Sequence, residues 1–413
     1  MNQTWDRDGL RGIVMARRGT DPARSSDGYA EISRAHMAVV GNYANPILLG
    51  PPVCDELVAL IVHMYSEEEA DVLQYIKPWR VRSAKGLAKQ CGRPLEEVKQ
   101  ILQRLAYEKC TLITFTIGNE DRYLMLPIFP GTFDILFIGA EPREMTPWHQ
   151  RSAELFEDLF YTGFLNEYVG KAPIDAVRVL PVGEEIEGTQ IALPSDRLEI
   201  VLDKFEVFGL ATCCCRQAKR LAGGTCTKNM ETCVVMGGLA ELFIKQGRVR
   251  KICKKDVIEI KAEAEGDGMV TWFKNQDGGK FGNVACSCCS CCCGIMRTIS
   301  QFNAPGLVAP PHFIPIVDAT KCTSCGKCVE ACPVKAISLV EDGQDKRLLF
   351  KQTHCIGCGL CLRACPNKAR SLQEVPGYNE PPTGWLAYFR KYWFNYANDV
   401  LGVSNLRRKR TGS

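Results

Sequence analysis

The sequence predicts an α+β protein of several domains, and three observations carry that prediction. Its 413 residues exceed what a single hydrophobic core ordinarily organises. From Asp55 to about Lys109 the apolar residues recur at helical spacing, and two β-rich runs follow directly. Behind them, most of the 23 cysteines gather in tight groups separated by ordinary globular sequence. The organisation expected is an N-terminal extension at 1–54, a helix-and-hairpin domain at 55–132 and a helical linker region at 133–211. A cysteine-rich domain at 212–312, a cysteine-repeat domain at 313–372 and an aromatic and basic arm at 373–413 complete it.

Taken in order, the extension is polar and then Gly/Pro-punctuated (NYANPILLGPPV), which predicts little regular structure. CDELVALIVHMYSEEEADVLQYI spaces its apolar residues three and four apart, and SAKGLAKQCGRPLEEVKQILQRLAYEK predicts two short helices with Pro94 at a first-turn position. CTLITFTIGNEDRYLMLPIF reads as a hairpin turning at Gly118-Asn119. Three helices followed by a hairpin resemble a winged-helix domain, and that resemblance raises DNA binding. The helix after Pro94 would turn Leu95, Val98, Ile101, Leu102 and Leu105 inward, leaving Glu96, Glu97, Lys99, Gln100, Gln103, Arg104 and Glu108 outside. Helices that read a groove present basic and amide groups, so this mixed face speaks against nucleic acid and for a scaffold or docking unit. Beyond it, residues 133–170 read as mostly helical, AVRVLPV as a short strand and SDRLEIVLDKFEVFGL as a helix leading to Thr212.

Charge balance names no partner, since 51 basic residues against 47 acidic ones leave only +4. An odd number of cysteines in a large chain argues against a disulfide framework and for ligated metal. Arg17-Arg18 has no apolar stretch behind it, so neither a Sec nor a twin-arginine signal is expected. No run reaches the ~18 apolar residues a membrane span needs. These readings predict a cytoplasmic protein from an anaerobic organism that keeps thiols and iron reduced.

The most specific signal is a repeat. Cys322-x2-Cys325-x2-Cys328-x3-Cys332-Pro333 and Cys355-x2-Cys358-x2-Cys361-x3-Cys365-Pro366 are two copies of one spacing. The stretch from about 313 to 372 resembles a bacterial dicluster ferredoxin domain, in which three cysteines of a run hold one [4Fe-4S] cube and the fourth crosses to the other. That resemblance implies two [4Fe-4S] clusters, one on Cys322, Cys325, Cys328 and Cys365, the other on Cys355, Cys358, Cys361 and Cys332. Gly326, Gly357 and Gly359 would let backbone N–H groups face the sulfurs. Between the runs, AISLVEDGQDKRLLF reads as strand, Asp342-Gly343 turn and strand. Paired zinc sites would require four ligands each but no crossed repeat.

The central groups are Cys213-Cys214-Cys215-Arg216, Cys226 and Cys233, then Cys286, Cys288, Cys289, Cys291, Cys292 and Cys293. If the six-cysteine run is extended, side chains alternate: Cys286, Cys288 and Cys292 point one way, and Cys289, Cys291 and Cys293 the other. Each half-cage lacks one thiol, which Cys213, Cys215, Cys226 and Cys233 can supply. One or two further iron–sulfur clusters are expected here, with a thiolate zinc or copper site as the alternative. Arg216 is a candidate to balance an anionic cluster, or an ordinary surface arginine. The order of motifs, C-C-C-R, then C-x-C-C-x-C-C-C, then the ferredoxin repeat, is similar to that of iron–sulfur proteins of anaerobes that accompany oxidoreductase subunits. Here the first group carries an extra Cys214.

After Pro376 the chain reads VPGYNEPPTG and then GWLAYFRKYWFNYANDVLGVSNLRRKR. On a helix Trp385, Phe389, Tyr392, Trp393, Tyr396 and Val400 form one stripe. Packing on the protein itself, docking to a partner subunit and peripheral membrane association through Arg390, Lys391 and Arg407 to Arg410 are the three readings.

The function expected is electron transfer, as an iron–sulfur subunit relaying single electrons between a redox carrier of low potential and a partner oxidoreductase. Five histidines without metal spacing, and no glycine-rich nucleotide loop, argue against independent catalysis. Two alternatives stand: a reductase whose central cluster binds substrate, and a redox-sensing regulator that uses the winged helix.

Overall fold

The protein is described from a computed structural model. It covers residues 29, 31–45, 50–139, 145–165, 176–181, 183, 193, 196–276, 281–304, 307–342, 345–378, 380–384, 386–388 and 390–391. Arg17-Arg18, the turn residue Gly343, and Trp385, Phe389 and residues 392–413 of the arm lie outside them. The chain mixes helix and sheet and divides into two compact units, residues 1–165 with 214–225, and residues 166–213 with 226–413.

In the first unit, α1 (Arg34–Tyr43) runs through the extension where little structure was expected. Its cause is local: Ser33 caps the helix by accepting the His36 N–H, and Val39, Val40 and Tyr43 bury one face. Tyr43 Oη meets Tyr65 Oη at 2.9 Å and Thr132 Oγ1 at 3.2 Å, tying this helix into the core. Then come α2 (Asp55–Met64), α3 (Glu67–Leu73), α4 (Ala84–Cys91) and α5 (Leu95–Gln103). Ser66 and Glu69 form a capping box on α3, and Gly92 ends α4 in the left-handed conformation its missing Cβ permits. Strands β1 (Arg82–Ser83), β2 (Ile113–Ile117) and β3 (Glu120–Leu124) make an antiparallel sheet in the order β1-β3-β2. The hairpin turns at Gly118-Asn119, as its alternation predicts. On α5, Val98, Ile101 and Leu102 are buried, whereas Leu95 at the first turn is 37% exposed. Helices α6 (Phe133–Phe137) and α7 (Pro147–Tyr161) follow, and α8 (Cys214–Leu221) packs on both of them.

In the second unit, a six-stranded sheet has the order β4-β8-β9-β6-β5-β7, with every neighbouring pair antiparallel. The strands are β4 (Val177–Val179), β5 (Phe208–Thr212), β6 (Glu231–Met236), β7 (Arg250–Ile252), β8 (Val270–Lys274) and β9 (Asn283–Cys288). The helix expected through Leu210 is shorter, Leu198–Leu202, because Phe208 to Thr212 are wholly buried as a central strand. There Gly209 has Val249 against it so closely that a Cβ would meet Val249 Cγ2 at 2.4 Å. Helices α9 (Gly238–Lys245), α10 (Lys254–Gly266) and α11 (Gly294–Phe302) complete this part.

The cysteine-repeat region has two ladders, β10 (Phe313–Val317) with β13 (Arg370–Glu374) and β11 (Ile337–Asp342) with β12 (Asp345–Phe350). Short helices α12 (Lys327–Glu330) and α13 (Leu360–Arg363) sit inside the two cysteine runs, each preceded by a left-handed glycine, Gly326 or Gly359. No helix among the described residues is long and apolar enough to cross a membrane.

Candidate metal centres

The two repeated runs form the first pair of thiol groups. A cavity holding about 310 Å³ of space between atoms, part of it open to solvent, is lined by Cys322, Cys325, Cys328 and Cys365. These are the three thiols of the first run and the last thiol of the second. Cys332 packs with Cys355 and Cys358 of the second run against one core. The two runs interlock: Cys328 and Cys361 share a small core with Ile337 and Leu362, against which Cys332 also lies.

The local backbone is built for sulfur. Each run ends in Cys-Pro-x-Lys-Ala, and Lys335 and Lys368 take positive φ, +55° and +46°. The turn aims the following alanine N–H back at the cysteine. Ala336 donates to Cys332 Sγ at 3.1 Å and Ala369 donates to Cys365 Sγ at 3.3 Å. Arg370 Nη2 lies 3.3 Å from Cys328 Sγ and its charge also acts on Cys355 and Cys361. Such donors stabilise thiolate and raise the potential of a bound cluster.

The two quartets differ in depth. Cys325 is exposed, whereas Cys355, Cys358 and Cys332 pack on a core of Val270, Trp272, Met296, Ile299 and Ile356 that also contains Cys288 and Cys293. Burial pushes the Cys355 thiol up to about 11 and the Cys361 thiol up to about 12, and lifts Cys358 well above the ordinary thiol range. Thiols so disfavoured as free anions are stable as thiolates only against a compensating cation, which suits iron ligation. Gly357 completes the loop at φ +69°, where an added Cβ would sit 2.6 Å from the Phe313 carbonyl and 2.5 Å from Pro311 Cβ. That neighbouring segment is braced by buried His312, whose Nδ1 is 2.7 Å from Asp196 Oδ2 and whose ring stacks on Tyr378.

The central thiols form two further groups, sorted differently from simple alternation. Cys233 is hydrogen-bonded to Cys213 and Cys286, Cys286 to Cys288, and Cys288 to Cys293, all five being within the second unit. The sulfurs of Cys226, Cys289, Cys291 and Cys292 form the other group, all within 4.8 Å of one another. Cys292 and Cys293 have thus exchanged sides. The reason is that β9 ends at Cys288, and the chain then turns, with the Cys293 N–H donating to the Cys289 carbonyl at 3.1 Å. Cys215, half-buried, and Arg216, fully buried, lie in the first turn of α8 in the first unit; Cys214 Sγ there is 3.4 Å from Asp134 Oδ1.

One residue with no sequence signal stands behind the five-thiol group. Lys261 on α10 is fully buried, and its Nζ donates to the carbonyls of Thr232 (2.8 Å) and Ala285 (2.8 Å) and to Ser287 Oγ (2.9 Å). Thiol donors Cys233 and Cys288, and then the charges of Lys261 and Lys274, hold Cys286 well below the usual thiol range. Cys233 and Cys288 are pushed up by facing that thiolate and by burial. The group is therefore primed for anionic ligation at its centre.

Comparison with known proteins agrees with this geometry over one segment. Residues 321–369 match the 4Fe-4S dicluster domain family. Two [4Fe-4S] clusters are what that domain carries. A stretch of 52 residues is 44% identical to a subunit of the Na(+)-translocating ferredoxin:NAD(+) oxidoreductase complex of Acetobacterium woodii. The match spans 13% of this chain and 15% of the relative's length. An iron–sulfur domain together with likeness to a subunit of an oxidoreductase complex supports an electron-transfer role.

Proposed function

We propose that this chain is an electron-transfer iron–sulfur subunit that relays single electrons between a low-potential carrier and a partner oxidoreductase. The observation that carries the reading is the continuous apolar core between the buried ferredoxin-type quartet and the five-thiol group, with Ile356 and Leu360 on one side and Trp272, Met296 and Ile299 on the other. Both groups face the same dry medium. The cube on Cys322, Cys325, Cys328 and Cys365 then stands at the surface, the cube on Cys332, Cys355, Cys358 and Cys361 is interior, and a third cluster is held by Cys213, Cys233, Cys286, Cys288 and Cys293. When bound, iron clusters supply one-electron storage, and the chain supplies burial, N–H donors and positive charge that set their potentials.

The same proposal covers the finer organisation. The helices and three-stranded sheet of residues 55–132 are winged-helix-like and act as a docking scaffold, with residues 133–211 as the link to the cysteine-rich domain at 212–312. The ferredoxin domain occupies 313–372, and the arm at 373–413 docks a partner. Against nucleic acid, cations on and beside α5 are engaged by carboxylates: Arg93 with Asp71 at 2.8 Å and with Glu97, and Lys99 with Glu96 at 2.7 Å. The setting is an anaerobic cytoplasm.

Iron, acid-labile sulfide and EPR of the reduced, anaerobically purified chain test the reading. About twelve irons and as many sulfides per chain, with spin-coupled signals, supports the relay. About eight irons, with only ferredoxin-type signals, removes the central domain from it. A second reading, substrate reduction at the five-thiol cluster, is favoured by its one thiol beyond the four a cube takes. That reading requires an exogenous ligand such as cyanide to perturb one iron site.

A further inference from the structure

The outer central group differs in scale from the others. Cys291 Sγ lies 3.5 Å from Cys226 Sγ, 3.4 Å from Cys289 Sγ and 3.6 Å from Cys292 Sγ, and Cys226 Sγ is 3.9 Å from Cys289 Sγ. Four thiolates around a single ion at about 2.3 Å stand at the corners of a tetrahedron whose edges are ~3.8 Å. Four thiolates on the corners of a [4Fe-4S] cube belong to four different irons, and their sulfurs stand roughly 6 Å apart. These spacings fit the first polyhedron and leave no room for the second. The ferredoxin-type quartets are an internal reference: among the described residues, it is the 226/289/291/292 quartet whose sulfurs all gather within 4.8 Å.

Chain geometry accounts for the compactness. Cys289, Cys291 and Cys292 lie on one tight turn closed by the Cys293 N–H to Cys289 carbonyl bond, so three sulfurs curve around one point. Cys226, from the Gly223-Gly224-Thr225 loop ahead of β6, closes the fourth corner. Cys291 is exposed and Cys226 half-buried, so an ion can enter from solvent, while Cys289 and Cys292 are buried.

We infer that Cys226, Cys289, Cys291 and Cys292 bind one tetrahedral ion, a soft divalent metal held as a mononuclear tetrathiolate. Zn2+ and Fe2+ share this chemistry. The inference does not depend on the relay: it concerns a site separate from the five-thiol group and stands whether or not that group holds a cluster.

Metal and acid-labile sulfide are counted on the anaerobically purified full-length chain and on the C226S/C291S double variant. A cube contributes metal and sulfide in equal number, whereas a mononuclear site contributes metal alone. The wild-type chain is therefore expected to hold one metal ion more than its sulfide, and the variant to lose that one ion with sulfide unchanged. Loss of zinc identifies the structural ion, and loss of one iron identifies the redox ion. Equal metal and sulfide in the wild type, or loss of about four irons with about four sulfides in the variant, overturns the inference. Should the variant fail to fold, the wild-type excess and the metal–sulfur distances from X-ray absorption at the zinc and iron edges decide it alone.

Discussion

Replacing Lys261 by methionine removes a buried positive charge behind β9. Its Nζ bridges the Ala285 carbonyl and Ser287 Oγ, the residues on either side of Cys286. Strand alternation puts the Cys286 sulfur on the opposite face, which places the charge roughly 6–7 Å from it. At an effective dielectric near 20, a unit charge at that distance interacts with an added electron by about 2–3 kcal/mol. For a one-electron couple this is about 100 mV, and reorganisation of the site reduces it to roughly 50–100 mV. The sign is fixed: reduction makes a cluster more negative, so loss of the cation lowers the midpoint potential of the central cluster proposed above. Three acceptors also lose a donor, so the melting temperature falls as well. EPR-monitored potentiometry of K261M, with the ferredoxin-domain signals as internal reference, measures the shift. A central potential unmoved within about 15 mV, despite a lower melting temperature, would refute the electrostatic role and leave Lys261 as a structural residue.

Three further outcomes are expected. Arg370→Met, which takes a cation from 3.3 Å beside Cys328 Sγ, should lower both ferredoxin-domain potentials by about 30–60 mV in voltammetry; unchanged values reject the assignment. Gly357→Ala should cost the second [4Fe-4S] cluster, since its Cβ meets the Phe313 carbonyl, whereas Gly326→Ala, also at positive φ (+80°) but facing open space, should cost about 1 kcal/mol and keep its cluster; equal iron loss from both contradicts this. In the first unit Glu69 is pulled up by burial but held below the ordinary carboxylate range overall by Lys109 at 2.5 Å, the Ser66 N–H and Arg104 at 2.9 Å. A depressed carboxylate stabilises above its unfolded pKa of about 4.3 and loses that contribution as pH falls through its folded value. Glu69→Gln should therefore cost about 2–4 kcal/mol at pH 7 and progressively less toward pH 3, read by amide exchange of α3; a pH-independent cost would contradict it.

The dicluster ferredoxin domain was legible because its cysteines are nearly contiguous and a fixed spacing specifies a fixed loop. The central groups were legible only as a number of thiols. Which sulfur faces which depends on where β9 stops, and a stretch of cysteine and serine has no periodicity to mark the end of a strand. Hence alternation misplaced Cys292 and Cys293. The six-stranded sheet escaped for a related reason: LEIVLDKFEVFGL satisfies helical spacing, and only the sheet's burial of Phe208 to Thr212 on both faces makes them a strand. Lys261 looked like any charged residue on a helix, since its burial comes from the carbonyls of β6 and β9, far off in sequence. Arg370 was equally silent. In contrast, Lys335 and Lys368 carried a readable signal, the repeated Cys-Pro-x-Lys-Ala, in which the left-handed turn presents an N–H to sulfur.

The asymmetry between the two ferredoxin-type quartets argues for a direction of use. Around the first, the ligand loop is open: Cys325 is exposed and Gly326 has empty space beside it. Around the second, Gly357 is pressed against Pro311 and Phe313, and Ile356 and Leu360 enter the core that holds Cys288 and Cys293. The repeat itself cannot produce this difference, because the two runs have the same cysteine spacing. It comes from β4, β8, β9 and α11, which lay an apolar wall against one run only. A charge placed on the walled cluster is screened little by water and senses the central thiols strongly, while a charge on the open cluster is screened by solvent. In the proposed relay an electron entering at the open cluster would move from a wet site to a dry one, where fixed groups such as Arg370 and Lys261 would set the potentials. In the proposed relay the open cluster is where a soluble carrier would dock, and the walled one would be the step into the protein.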